Sequence, residues 1–347
     1  MTQRRRTLAT VLVALAIVAA QEVSRRALAA ALEASDFRAP ERLSGTGLEK
    51  GRLFSPQYPL WSDGAAKKRW VYLPPGSTID ATDVNAWDFP VGTRFWKEFT
   101  FGGRKVETRF LWKASSDRWV FASYQWNENG TDAVRAPEEG VPAAAGIGGG
   151  RSHSIPSTVE CRACHDSRRT EILGFNALQL SIDRDPNAIH GEPLAPGMVT
   201  LETLADERRL SPARTDLVAN PPRIKAQSAA TRAVLGYMTA NCGACHNGDG
   251  ELAAPGPSLK HGDVADGDRV ARSLVRQPTA WQVPGLAEGA GMFVDPDAPQ
   301  SSAILTRMRS RRPSSQMPPV GTVVPDREAI DAIARWIATD LQRSRLQ

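Results

Sequence analysis

Residues 93–126 read TRFWKEFTFGGRKVETRFLWKASSDRWVFASYQW. Three runs inside it, 93–101, 104–113 and 117–126, are rich in aromatic and β-branched residues that alternate at period two. Half-buried strands alternate in this way because successive side chains point to opposite faces of a sheet. Gly102-Gly103 predicts a tight hairpin between the first two runs, residues 114–116 join the next pair, and residues 127–130 end the meander. Upstream, residues 69–73 form a further strand that stops at Pro74-Pro75-Gly76. Seven of the nine tryptophans fall between Trp61 and Trp126, so residues 43–140 are expected to form an aromatic-rich antiparallel β domain. Alternating aromatics such as Phe99 and Phe101, or Trp119 and Phe121, read as core, since nothing marks an exposed aromatic row. The loop 58–63, Tyr-Pro-Leu-Trp-Ser-Asp, is a candidate for partner or substrate contact.

Beyond the meander the composition changes. Residues 137–150 are rich in Ala and Gly, end Gly148-Gly149-Gly150, and read as a flexible connection. Directly afterwards comes Cys161-Arg162-Ala163-Cys164-His165, and a second copy of the pattern follows at Cys242-Gly243-Ala244-Cys245-His246. Two cysteines three apart with histidine next are the attachment signature of c-type haem. Each thiol forms a thioether to the macrocycle, and the histidine becomes the proximal iron ligand. These are the only four cysteines in 347 residues, and the two histidines are among only five. The competing readings, two CxxC redox pairs or one four-cysteine zinc site, leave both histidine positions to coincidence. Two covalently bound haem c groups are therefore expected, in a first haem-binding segment at 151–225 and a cytochrome c-like domain at 226–347.

Within the second segment, residues 228–240 predict a helix leading into the motif. Residues 299–309 predict another, capped by Ser301 or Ser302, and Asp326 caps a third whose Ile330, Ile333, Trp336, Ile337 and Leu341 share one face. Between the last two lies Gln316-Met317-Pro318-Pro319. A thioether is a suitable sixth ligand, and the prolines hold the loop out of any helix, so Met317 is the expected ligand of the second iron, with Met292 as its rival. Met308 reads as core, and Met238 precedes the cysteines. For the first iron the candidates are His153, His190 and Met198. His261, in a polar loop, reads as a surface residue. Residues 170–180 carry enough apolar side chains for a short helix.

At the N-terminus Arg4, Arg5 and Arg6 precede an apolar run, 8–20, that is too short for an ordinary spanning helix; residues 1–20 read as an export signal with a small-residue site at Val18-Ala19-Ala20, and Ala27 to Ala31 offers another. The membrane enters only if this segment stays uncleaved. The formal charge of +5 includes those three arginines, and no other basic run resembles a phosphate-tracking stripe, so nucleic acid is not an expected partner.

The order Tyr58-Pro59-Leu60-Trp61-Ser62-Asp63-Gly64-Ala65, Phe89-Pro90-Val91-Gly92-Thr93, Glu107-Thr108-Arg109, Trp126-Asn127-Glu128, Ile155-Pro156-Ser157, both CxxCH motifs and Met317-Pro318-Pro319 resembles a family of exported dihaem c-type cytochromes. The resemblance implies covalent haem and electron transfer, with His165 and His246 as proximal ligands and Met317 matching the family's closing methionine. The expected fold class is α+β multidomain, an N-terminal antiparallel β domain followed by mainly α-helical c-type haem domains. The expected function is periplasmic single-electron transfer between redox partner proteins. An open first iron would instead imply a dihaem peroxidase-like enzyme, and a third possibility makes the β domain a docking module.

Overall fold

The alternating runs fold into the strands their pattern requires. The computed structural model describes residues 37–148, 150–165, 172–248, 258–260 and 265–343, and Ala39–Gln347 make one compact unit. Strands β1 (Arg52–Phe54), β2 (Ala66–Tyr72), β3 (Ile79–Asp80), β4 (Arg94–Phe101), β5 (Arg104–Lys113), β6 (Trp119–Trp126) and β7 (Ala133–Arg135) open the unit. Six of them form one antiparallel sheet in the order β1-β2-β4-β5-β6-β7. Gly102 and Gly103 take positive φ, the backbone that a two-residue hairpin demands.

Both faces of the sheet are covered. On one, Trp96, Phe110 and Tyr124 pack with Ala39 and Leu43. On the other, Val71, Phe95 and Trp119 pack with Phe54, Phe175, Leu180 and Leu201. Phe175 is the hub there, its ring 4.8 Å from Phe54 and 5.2 Å from Phe95 in edge-on contact. The aromatic positions thus serve as core, around a single sheet.

Residues 141–148 and 151–155 differ from expectation. The Ala/Gly stretch forms β8 (Val141–Gly148), which pairs antiparallel with β9 (Arg151–Ile155). Gly140 makes this possible: at φ 80° it lies so near the following strand that a Cβ would sit 2.5 Å from the Ile155 carbonyl oxygen. The two-residue strand β10 (Leu210–Ser211) runs parallel to β3.

Seven α-helices occur among the described residues: α1 (Thr158–His165), α2 (Leu201–Asp206), α3 (Thr215–Ala219), α4 (Ala229–Asn241), α5 (Gly267–Leu274), α6 (Ala303–Arg309) and α7 (Arg327–Arg343). The expectation of mainly α-helical haem domains after the sheet is overturned. Only α4, with 13 residues, and α7, with 17, exceed eight residues, and the chain between the helices is irregular. Pro278, Pro284, Pro296, Pro313, Pro318 and Pro325 lie in those connections, where each removes a backbone donor and obstructs a helical turn. Residues 172–180 also form turns instead of a helix, although Ile172, Phe175, Leu178 and Leu180 are buried.

The three helices start where expected, and a capping hydrogen bond forms at two of them. Ser228 accepts the amides of Ala230 and Thr231 at α4, and Asp326 accepts the amide of Ala329 at α7. At α6 Ser302 occupies the cap position, but its hydroxyl accepts the Asp295 amide instead. Helices α4, α5, α6 and α7 share a core with Leu235, Met238, Leu274, Leu305, Met308 and Trp336, where Trp336 Nε1 donates to Thr231 Oγ1 at 3.0 Å. Met308 is core, as the sequence suggested. The expected export signal (1–20) and His261 lie outside the described residues. Among the described residues no helix is long and apolar enough to cross a membrane.

Candidate functional site

The second CxxCH segment is the C-terminal end of α4 and the turn that follows. Cys242 and Gly243 donate to the Met238 carbonyl at 2.7 and 2.9 Å, and Cys245 and His246 donate to the Cys242 carbonyl at 2.9 and 2.8 Å. The backbone therefore keeps both cysteines and His246 within one turn. Gly243 is required for close packing, since a Cβ would lie 2.6 Å from the Leu259 carbonyl oxygen. Leu259 in turn donates to the His246 carbonyl at 2.7 Å.

The loop 58–63 fixes this turn from the other side. Trp61 N donates to Asn241 Oδ1 at 2.7 Å, and Asn241 Nδ2 reaches Tyr237 O at 3.0 Å and Pro59 O at 3.3 Å. Trp61 Nε1 donates to Val324 O, and Asp63 Oδ1 accepts the amides of Val323 and Val324 at 2.8 and 2.9 Å. Tyr58, Ser62 and Asp63 are buried. The loop is an internal strut, which leaves little of it for the partner or substrate contact expected of an exposed loop.

His246 is half-buried, and its Nδ1 is buried with no hydrogen-bond partner among the described residues. Burial, and then the guanidinium of Arg307, hold the ring below its ordinary pKa, which favours neutral imidazole. Burial pushes the Cys242 thiol up to about 12, with Cys245 adding to the shift. Arg307 also accepts the Met317 amide on its carbonyl at 3.1 Å, and its Cζ lies 5.3 Å over the Trp281 ring. One arginine is thus tied to the Met317 backbone and acts electrostatically on His246. Met317 is half-buried. Its rival Met292 accepts the Ala303 amide on its carbonyl at 2.9 Å, at the start of α6.

The first CxxCH segment is α1 itself. A capping box starts it: Glu160 accepts the Ser157 amide at 2.9 Å, and Ser157 Oγ accepts the Glu160 amide at 3.2 Å. The Ser-x-x-Glu pattern at 157–160 is the sequence signal for this start. On a helix, Cys161, Cys164 and His165 stand at i, i+3 and i+4, hence on one face. The His165 ring lies 5.3 Å from that of Phe121 on β6. Burial raises the Cys161 thiol to about 11, against the opposing pull of Arg109. None of the four cysteines is in a disulfide.

The residues expected as sixth ligands of a first iron have other partners. His153, on β9, is buried with Nε2 3.0 Å from Glu107 Oε2 and Nδ1 3.9 Å from Asp63 Oδ2, an ion-pair distance too long for a hydrogen bond. Burial opposes its protonation, but Asp63 and Glu107 outweigh burial and raise its pKa. His190 places Nε2 2.8 Å from Asp326 Oδ2 and Nδ1 3.3 Å from Glu328, and stacks on Trp61 at 5.0 Å. Met198 accepts the Ala195 amide on its sulfur at 3.4 Å within a turn. Among the described residues no group of three or more His, Cys, Asp and Glu could hold a metal ion.

The residues fit covalent haem. Each segment gathers two thiols and a histidine in a single turn, and at His246 a neutral ring with an unengaged buried nitrogen is the form of imidazole that iron accepts. None of the protein families, curated proteins or solved structures compared with the chain matches it.

Proposed function

We propose that the protein is an exported dihaem c-type cytochrome that passes single electrons between periplasmic redox partners. The observation that carries this reading is the pair of CxxCH segments, each folded with its cysteines and histidine on one turn and with no disulfide competing for the thiols. Cys161 and Cys164 would hold one haem with His165 as proximal ligand. Cys242 and Cys245 would hold the other, with His246 and Met317 as its ligands. Bound haem supplies a reversible one-electron couple. The chain's part is to keep the His246 ring neutral and partly shielded, to fix Met317 through Arg307, and to hold both segments on one compact unit.

A pyridine haemochrome assay on protein purified from the periplasm tests this, with two covalent haems per chain as the expected count. Fewer than two overturns the reading. Met317→His should lower one reduction potential and leave the other nearly alone, because thioether ligation raises the potential relative to imidazole.

One observation favours a second reading. Both histidines within the candidate set for the first iron are engaged by carboxylates, which would leave that iron open to peroxide, as in a dihaem peroxidase. Ferric EPR separates the two: low spin at both irons keeps the carrier. A high-spin first haem that turns over peroxide with a reduced donor replaces it with the enzyme.

A further inference from the structure

The register of the sheet brings four cations together. Arg69 on β2 pairs with Lys97 on β4, and Lys97 pairs with Arg109 on β5, so three cations stand side by side on one face. Lys67 stands in the next row on that face, opposite Phe99. Like charges directly opposite one another across strands destabilise a sheet, so their presence calls for a counter-charge. Glu192 balances Arg69, at 2.7 and 3.3 Å, and Glu107 balances Arg109, at 2.7 and 3.1 Å.

Two ammonium groups, Lys67 and Lys97, make no ion pair among the described residues. Lys67 Nζ donates to the Leu60 carbonyl at 2.6 Å, a dipole and not a charge. Lys97 Nζ lies 5.1 Å over the Phe99 ring, on which Arg109 Cζ also sits at 4.4 Å. Burial, followed by Lys67, Arg69 and Arg109, pushes the Lys97 ammonium well below its ordinary pKa, and burial followed by Arg69 brings Lys67 to about 8. An unpaired, half-buried ammonium beside three other cations is costly unless an anion joins it. The group lies beside the first CxxCH helix: Arg109 is close enough to Cys161 to oppose the effect of burial on its thiol, and the apolar row on the same face ends at Phe121, next to His165.

We propose that Lys67 and Lys97, backed by Arg69 and Arg109, bind a pair of carboxylates. This rests on the haem reading to the extent that a haem held at Cys161 and Cys164 would supply such a pair in its propionates; a free dicarboxylate is the other source of the same chemistry. Two ammonium groups without an ion pair match two carboxylates in charge. Charge-assisted contacts to carboxylate would supply the counter-charge that the protein lacks here.

The test uses the purified full chain and the variants Lys97→Met, Lys67→Met and Lys97→Arg. If propionates are the ligand, the haem count stays at two. In each Met variant the reduction equilibrium of one haem falls about tenfold, about 59 mV for one electron, because removing a nearby cation favours the more positive oxidised form. Resonance Raman bands of the propionates shift in the same variants, and Lys97→Arg, which keeps the charge, restores the potential. Two intact haems with neither potential nor bands moved in either Met variant overturn the proposal. If the chain carries no first haem, the functional reading fails on its own, and titration calorimetry with succinate decides the site. Binding that weakens at least tenfold in Lys97→Met supports it with a free ligand, and no binding to the unmodified protein overturns it.

Discussion

Gly236, in the middle of α4, faces Tyr58 so closely that a Cβ would meet the ring at 2.0 Å. That ring cannot retreat, because its hydroxyl donates to Asp185 at 3.2 Å and the side chain is almost wholly buried. Gly236→Ala should therefore cost about 1–3 kcal/mol through overpacking, despite alanine's better helix propensity, and a melting curve would show it as a lowered Tm. An unchanged or raised Tm would mean that the strut contact yields. Glu107 offers a test by pH. Burial alone would raise its pKa, but Arg109 and His153 more than offset this and lower it from 4.5 to about 2. A carboxylate with a depressed folded-state pKa stabilises above its unfolded value, and the stabilisation is lost as pH falls through the folded value. Glu107→Gln should thus be destabilised by about 3 kcal/mol at neutral pH. The gap to the unmodified protein should begin to close below about 4.5 and be nearly gone near pH 2, as read from urea midpoints. A gap independent of pH would assign the loss to packing.

Among the elements, α1 depends on its first turn. Its residues are half-buried or exposed, Val159 being 77% exposed, so little core packing supports eight residues that would be marginal alone. Ser157→Ala removes one arm of the capping box and should cost about 1 kcal/mol. Hydrogen exchange should show faster opening of α1 with β4 and β5 unaffected; equal acceleration throughout would contradict a local role. The elements also show what could be read in the chain. The meander strands β4, β5 and β6 were legible nearly to their ends, because alternation and Gly102-Gly103 leave one register. The start of α7 was legible in Asp326 and its apolar face. The hairpin of β8 and β9 was not, since Ala and Gly carry no period and the pairing depends on Gly140 approaching a strand formed later in the chain. Helical content after the sheet was overestimated because three local helix patterns were extended across proline-rich connections. At the site, both CxxCH turns were plain from spacing alone. The cation row was invisible, because Arg69, Lys97 and Arg109 become neighbours only through strand register.

For the whole molecule, the export reading makes a prediction of its own. Haem attachment outside the cytoplasm requires the chain to be delivered there, so deletion of residues 1–20 should yield protein with no haem-stained band on a denaturing gel. A full-strength band would remove the periplasm from the account. The strut formed by residues 58–63 bears on how such a chain could mature. Its polar groups find their partners very late: Trp61 waits for Asn241, 180 residues on, and for Val324, 263 residues on, while Asp63 waits for an amide 261 residues on. N-terminal segments emerge first, and contacts between distant segments close slowly. During synthesis and passage across a membrane the sheet can therefore be complete while this loop is still unclosed. Both CxxCH segments come before Val323 and Val324 in the chain, so on the proposed function each would reach an attachment enzyme before the final helix could lock the loop. Closure at residue 324 would then be a last step, one that follows loading instead of obstructing it.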